Sequence, residues 1–219
     1  MHWNSWHVQQ KIYRIDITEV YNIVEFIAHR VNTIKDLASI STKYGVELDL
    51  RDSLTGRIYI QHNPFEPGED FEEYLRHYKH GTMILNVKSE RIELKIQELL
   101  KKYHIEKYFF LDSSFPMIKL LSDQGEKKIA LRFSEYEGID TLIAMQGKVE
   151  WVWVDCFSKL PLDSDIFNNI KKMGYKVCIV SPELQGQPDK IQEYKAQLEK
   201  YNICPEAICT KAYNISKWL

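Results

Sequence analysis

The feature that most constrains this chain is an alternation. From residue 23 onward, short apolar runs are separated by stretches whose apolar residues recur at helical spacing. Repeated strand-then-helix units build a parallel sheet with helices on its faces. Eight such runs fall at 23–29, 45–51, 82–88, 108–113, 129–134, 150–156, 176–181 and 206–210, and eight βα units close a (β/α)8 TIM barrel. The segment 57–62 fits this count either as a hairpin return beside the second strand or as a short element within its loop. The 219 residues and the 44% hydrophobic content suit one domain with a sizeable core. Residues 1–20, with Trp3, Trp6, Tyr13 and Ile15 among polar neighbours, read as an N-terminal cap.

Helix signals sit between the runs. Ser89 is placed to cap a helix carrying Ile92, Ile96, Leu99 and Leu100, with Glu90 in its first turn and Lys101 and Lys102 near its end. Asp163 or Ser164 opens another that stops at Gly174. Pro188 suits a first helical position, followed by a stripe of Ile191, Tyr194, Leu198 and Tyr201.

The second run is unusual. Glu47, Asp49 and Arg51 alternate with Val46, Leu48 and Leu50, so the charges share one face of the strand and the aliphatics the other. Either this is a solvated antiparallel strand, or the carboxylates are buried with a purpose, since a buried carboxylate is normally paired or bound to a metal. Two hard oxygen ligands at i and i+2 suit Mg²⁺ or Ca²⁺. His29 and Arg30 close the first run nearby.

Around that strand the order of motifs becomes recognisable: AHR at 28–30, NT at 32–33, ELD at 47–49, TGRIYIQH at 55–62 and LNVK at 85–88. The set resembles the glycerophosphodiester phosphodiesterases and, more distantly, the phosphatidylinositol-specific phospholipase C-like barrels. That family shows HRG, ENT, E-x-D, a T-x-DG-x-x-V-x-x-HD segment and E-x-K in this order. The resemblance implies a metal-dependent phosphoric diester hydrolase acting on a small or lipid-derived phosphodiester. His29 and His62 would be its acid/base pair, Glu47, Asp49 and Asn86 would hold a divalent cation, and Arg30 and Lys88 would contact the phosphate. Departures accompany the likeness: Val31 follows HR, Asn63 follows His62, Asn86 replaces the third acid, the insertion after His62 is short, and CTK at 209–211 stands where a TD pair is usual. They leave open a non-catalytic protein that binds a phosphorylated ligand, and a metal-independent lyase in which Arg51 or Lys88 does the work of the cation.

Further along, Arg132 lies late in the fifth run, and Trp151, Trp153 and Asp155 share one face of the sixth. Arg51 and Arg132 read equally as phosphate anchors or as internal ion-pair partners of Glu47 or Asp155. Trp153 and Asp155 are candidates for the substrate pocket, and the tryptophans also read as core filling. His2, His7, His77, His80 and His104 lie in polar surroundings and read as surface residues.

Other classes are disfavoured. A formal net charge of −2 with scattered Lys and Arg leaves no electrostatic footprint for nucleic acid. No run reaches the roughly 20 apolar residues of a membrane span, and the N-terminus lacks an apolar signal core, so a cytoplasmic protein is expected. Cys156, Cys178, Cys204 and Cys209 lack C-x-x-C spacing and read as buried thiols. Oligomeric state is not legible.

Overall fold

The computed structural model describes residues 24–219; the expected N-terminal cap at 1–20 lies outside them. Ten strands occur among the described residues: β1 (Glu25–Ala28), β2 (Gly45–Asp52), β3 (Ile58–Ile60), β4 (Glu69–Asp70), β5 (Met83–Val87), β6 (Tyr108–Leu111), β7 (Ala130–Phe133), β8 (Trp151–Val154), β9 (Lys176–Val180) and β10 (Ala207–Thr210). Eight of them form a ring of parallel neighbours. β1 pairs with β2, β2 with β5, and β5 with β6; β7, β8, β9 and β10 follow in turn, and β10 returns to β1 with Glu25 opposite Ala207.

The ring closes at its thinnest seam, between β6 and β7. A single parallel bridge joins Phe110 to Ile129, with Phe110 N–H donating to the Lys128 carbonyl at 2.9 Å. The eight staves are the eight apolar runs of the sequence. β3 is not a stave: it folds back antiparallel on the end of β2, Leu50 opposite Ile60, and β4 pairs with β3 in turn. Of the two readings of 57–62, the hairpin return is the correct one.

Period-2 alternation sorts each stave between two cores. Ile27, Ile84, Phe109, Ala130, Trp151, Cys178 and Ala207 point into the barrel and form one buried cluster with Leu111, Trp153, Val180 and Cys209. Gly45 fills the β2 place in this layer because a Cβ there would collide with Ile27 Cδ1 and the Thr82 carbonyl. Phe109 stacks on Trp151 with centroids 4.4 Å apart. Their alternate neighbours, among them Val46, Leu48, Leu50, Leu85, Phe110, Val152, Val154 and Ile179, face outward onto the helices. The inward apolar layers stop short of the C-terminal strand ends, where the inward side chains become Glu47, Asp49, Asn86, Arg132 and Asp155.

The helices are α1 (Ile34–Ser39), α2 (Phe71–His77), α3 (Glu93–Lys102), α4 (Phe115–Asp123), α5 (Asp140–Ala144), α6 (Ser164–Lys172), α7 (Ile191–Lys200) and α8 (Ile215–Trp218). Thr33, Asp70 and Asp163 cap α1, α2 and α6 through their side chains, and Gly174 stops the chain after α6 at φ 89°. Two helix starts differ from the sequence reading. Helix α3 begins at Glu93, not after Ser89, because Ser89 is drawn to β2 and accepts from Asp52 N–H at 3.3 Å, and Arg91 then turns the chain at φ 67°. Pro188 opens a 3₁₀ turn, Pro188–Lys190, which runs into α7. Cys156, Cys178 and Cys209 are buried, and Cys204 is half-buried. Among the described residues no helix is long and apolar enough to cross a membrane.

Because Phe109 is fully buried in the barrel interior, Phe109→Ala is expected to cost about 3–5 kcal/mol in urea unfolding, whereas Leu120→Ala on exposed α4 surface costs under about 1 kcal/mol. Equal losses for the two variants would contradict the interior placement.

Candidate active site at the mouth of the barrel

Strand β2 carries two carboxylates into the barrel, and both are completely buried. Register places Asp49 beside Asn86 of β5. Asn86 Nδ2 donates to Glu47 Oε1 at 2.8 Å, and Arg30 backbone N–H donates to Glu47 Oε2 at 2.7 Å. The second bond explains the turn after β1: Arg30 adopts φ 55°, a conformation costly for a side chain with a Cβ, and this turn aims its N–H at the acid. Asn32 clasps Asp49 twice, Nδ2 donating to Oδ2 at 2.9 Å and Oδ1 accepting from Asp49 N–H at 3.0 Å. Two buried oxygens remain without a hydrogen-bond partner: Asp49 Oδ1 and Asn86 Oδ1. Burial, and then the charge of Asp49, push the Glu47 carboxyl above its usual range.

The two predicted catalytic histidines meet at this site from different elements. His29, at the end of β1, sets Nε2 3.7 Å from Glu47 Oε2, while Lys211 Nζ stands 3.0 Å from its Nδ1. Burial, then Lys211, Arg30, His62 and Lys88, lower its pKa to about 3, so the ring is neutral. An ammonium only donates, so Nδ1 accepts and the ring proton is assigned to Nε2. His62, in the loop after β3, receives Arg30 Nη2 at Nε2, 2.6 Å away, and its Nδ1 meets Asn63 Oδ1 at 3.0 Å. The same logic puts the His62 proton on Nδ1. Arg30 thus links His62 to Asp49, with Nε 3.8 Å from Oδ2.

The remaining predicted cations divide. Arg51 contacts no acid of the site: Nε and Nη2 donate to the His62 carbonyl and Nη1 to the Lys88 carbonyl. It pins the two chain segments that present His62 and Lys88. Lys88 Nζ reaches Asp112 Oδ2 at 3.1 Å and stands 3.8 Å from Asp49 Oδ1. Arg132 binds Asp112 and Asp155, and Asp155 also accepts from Trp153 Nε1 at 3.1 Å and Gln185 Nε2 at 2.9 Å. Burial raises the Asp155 pKa in spite of Arg132.

One cavity of about 360 Å³ is lined by His29, Arg30, Asn86, Lys88, Arg132, Trp153 and Asp155, and also by Asp112, Glu183 and Lys211. A larger cavity of about 790 Å³ beside the β3–β4 hairpin is lined by Asp52, Arg57, Tyr59 and Phe65, and holds none of the mouth's histidines or buried acids. Asp112 sits at φ 62°, just past β6, where its carboxylate bridges Lys88 and Arg132. Lys211 is the residue a sequence reading passes over most easily, yet its signal was present: it continues the inward series Ala207, Cys209 along β10. Among the described residues no cluster of three or more His, Cys, Asp and Glu side chains suits a metal ion. The acids are two, with the Asn86 amide between them.

No protein-family model matches the chain, and no curated protein does. Solved structures match closely in fold. A glycerophosphodiester phosphodiesterase from Agrobacterium tumefaciens str. C58 superposes with a TM-score of 0.64 at 14% identity, over 86% of this chain and 97% of its own. A glycerophosphoryl diester phosphodiesterase from Parabacteroides distasonis ATCC 8503 gives 0.64 at 10% identity, over 93% of this chain and 91% of its own. At these identities the likeness is one of fold: the chain is a (β/α)8 barrel of the architecture those enzymes use.

Burying a neutral His29 leaves a mark on stability that needs no substrate to detect. The unfolded chain binds a proton there below about pH 6.5, while the folded chain does so only near pH 3. The His29 contribution to stability is therefore complete above pH 6.5 and drains away as pH falls across that window, by about 2 kcal/mol at pH 5, while Glu47, held above its usual range, contributes in the opposite sense. In urea unfolding, His29→Asn should therefore gain stability relative to the unsubstituted protein as pH falls from 7 to 5; parallel profiles would mean that His29 is not held neutral.

Proposed function

We propose that the chain is a phosphoric diester hydrolase that cleaves a small or lipid-derived phosphodiester of the glycerophosphodiester kind. The observation that carries the reading is the convergence of His29, His62, Glu47, Asp49 and Arg30 on the strand-end mouth of this barrel, the end at which barrels of this class place their chemistry. Similarity of fold to structures described as glycerophosphodiester and glycerophosphoryl diester phosphodiesterases supports it.

Cleaving a phosphodiester requires positive charge on the phosphate, a group to take the proton of the attacking oxygen, and a group to return one to the leaving oxygen. Arg30 and Lys88 face the cavity and supply charge. Arg132 lines it with its charge shared between Asp112 and Asp155, and Arg51 acts through the backbone of His62 and Lys88. His62 holds its proton on Nδ1 toward Asn63 and its lone pair on Nε2, which accepts from Arg30 until the attacking oxygen takes that place. His29 is its counterpart. Burial depresses His29 most, and the neighbouring cations add to it; a phosphodiester monoanion entering the cavity would offset the cations' share and raise the imidazole pKa. Trp153 and Asp155 form the wall available to the esterified alcohol.

Two acids and one amide oxygen are the donors that a divalent cation would meet here. Asp49 Oδ1 and Asn86 Oδ1 are buried oxygens in need of a partner, and Glu47 beside them carries a charge that its surroundings disfavour. Glu47, Asp49 and Asn86 would hold Mg²⁺ or Ca²⁺, which supplies Lewis-acid stabilisation of the phosphate when bound. Cation binding expels the Glu47 proton, so affinity rises with pH through the window in which this carboxyl ionises. Calorimetry in buffers of different ionisation enthalpy should detect that proton, and Glu47→Gln should abolish it; binding without proton release would remove Glu47 from the ligand set.

A second reading has its own support. Lys88 Nζ stands near Asp49 Oδ1, and Asn86 gives its amide N–H to Glu47, so internal cations and donors already serve these acids. A metal-independent lyase would exploit that arrangement. A panel of phosphodiesters followed by phosphorus NMR separates the two. Hydrolysis that stops in EDTA, and falls at least about 100-fold in both His29→Ala and Glu47→Ala, is the expected result. Full rate in EDTA with a cyclic phosphate accumulating would establish the lyase, and turnover unchanged in both variants would end the diesterase reading at this site.

A further inference from the structure

Four cations line the mouth cavity, and three already have a carboxylate. Arg132 is held by Asp112 and Asp155, Lys88 by Asp112, and Arg30 stands 3.8 Å from Asp49. Lys211 differs. No carboxylate among the described residues pairs with its ammonium, whose partner is His29 Nδ1 at 3.0 Å. Glu183 is adjacent, but it takes the backbone N–H of Lys211 at 3.0 Å, and its oxygens are occupied by Thr210 Oγ1 at 2.5 Å and by Ser181 Oγ. The Glu183 carboxylate therefore fixes where the chain carries Lys211 without neutralising the side chain.

A half-buried ammonium facing a cavity without a counter-charge is costly unless something anionic joins it. It has three N–H donors; one goes to His29, and two are left for the cavity that Lys211 lines. We infer that Lys211 is the anion anchor of the mouth: its ammonium takes a non-bridging oxygen of the bound phosphate, while its contact with Nδ1 keeps the His29 proton on Nε2. The first half makes Lys211 a ligand-binding residue and the second makes it a positioning residue. The proposal rests on the diesterase reading only in naming a diester as the natural ligand, because the phosphate contact itself needs no turnover.

Inorganic phosphate is the probe. Titration calorimetry on the full chain should show that Lys211→Met weakens phosphate binding by at least about tenfold, and that Lys211→Arg recovers most of the loss. In ¹⁵N NMR at neutral pH, His29 should occupy one tautomer, with Nε2 protonated, in the unsubstituted protein, and both tautomers in Lys211→Met. A thermal melt checks each variant, and Lys211→Gln replaces the methionine variant if that one fails to fold. Equal phosphate affinity with and without the ammonium, or no phosphate binding by the unsubstituted protein, overturns the proposal.

Diester turnover measured alongside keeps the two readings apart. A protein that hydrolyses no diester yet loses phosphate binding in Lys211→Met upholds the anchor and sinks the diesterase reading. A working diesterase whose phosphate binding is indifferent to Lys211 does the opposite.

Discussion

Two carboxylates on one face of one strand dominate the energetics of this barrel. Glu47 and Asp49 are wholly enclosed, lie next to each other, and repel. A lone buried carboxylate is costly, and a close pair is worse. Much of the mouth can be understood as compensation. Arg30 adopts a left-handed backbone so that its amide reaches Glu47, Asn32 grips Asp49 at both ends of its own amide, and Asn86 donates across the ladder. Even so, the compensation stops short: Asp49 Oδ1 and Asn86 Oδ1 go unpaired. A fold maintained only for stability would gain by replacing such a pair with aliphatics. The left-handed backbone at Arg30 is part of what holds the pair in place.

The opposite wall is arranged on another principle. Asp112, Lys88, Arg132, Asp155, Trp153 and Gln185 neutralise one another in a continuous network, with every Asp155 oxygen occupied. That wall has little to gain from an ion and much rigidity to offer a polar ligand. The cavity therefore has two unlike sides, one with unpaired acceptor oxygens beneath Arg30 and His29, and one already balanced.

What was legible in the sequence followed from period 2. Eight apolar runs marked eight staves because parallel strands buried on both faces read as continuous hydrophobic stretches. Glu47 and Asp49 stood out because they broke that rule. The same period, extended past Cys209, pointed to Lys211, but the residue lies one position beyond the end of β10, where a strand pattern no longer constrains a side chain. Arg51 stood out as a charge on a buried strand, but its partners were not legible. Its destination is set by where two loops cross, and only the fold brings the His62 and Lys88 carbonyls within its reach. Ser89 misled for a related reason: a serine before a helical stripe is a good cap, but the competing demand of Asp52 N–H on the edge of β2 claimed its hydroxyl.

The exchange of an acid for Asn86 also takes its meaning from the neighbours. Had the third acid been present, three negative charges would have faced only Lys88 and Arg30 at close range, an arrangement that demands a dication. With an amide there, one negative charge is gone, and the amide hydrogen that replaces it stabilises Glu47 directly. Fewer negative charges here mean a weaker pull on any hard dication. Lys211, one position past β10, adds to the positive charge around His29. That positive balance is the electrostatic setting of the cavity that His29, Lys88 and Lys211 line together.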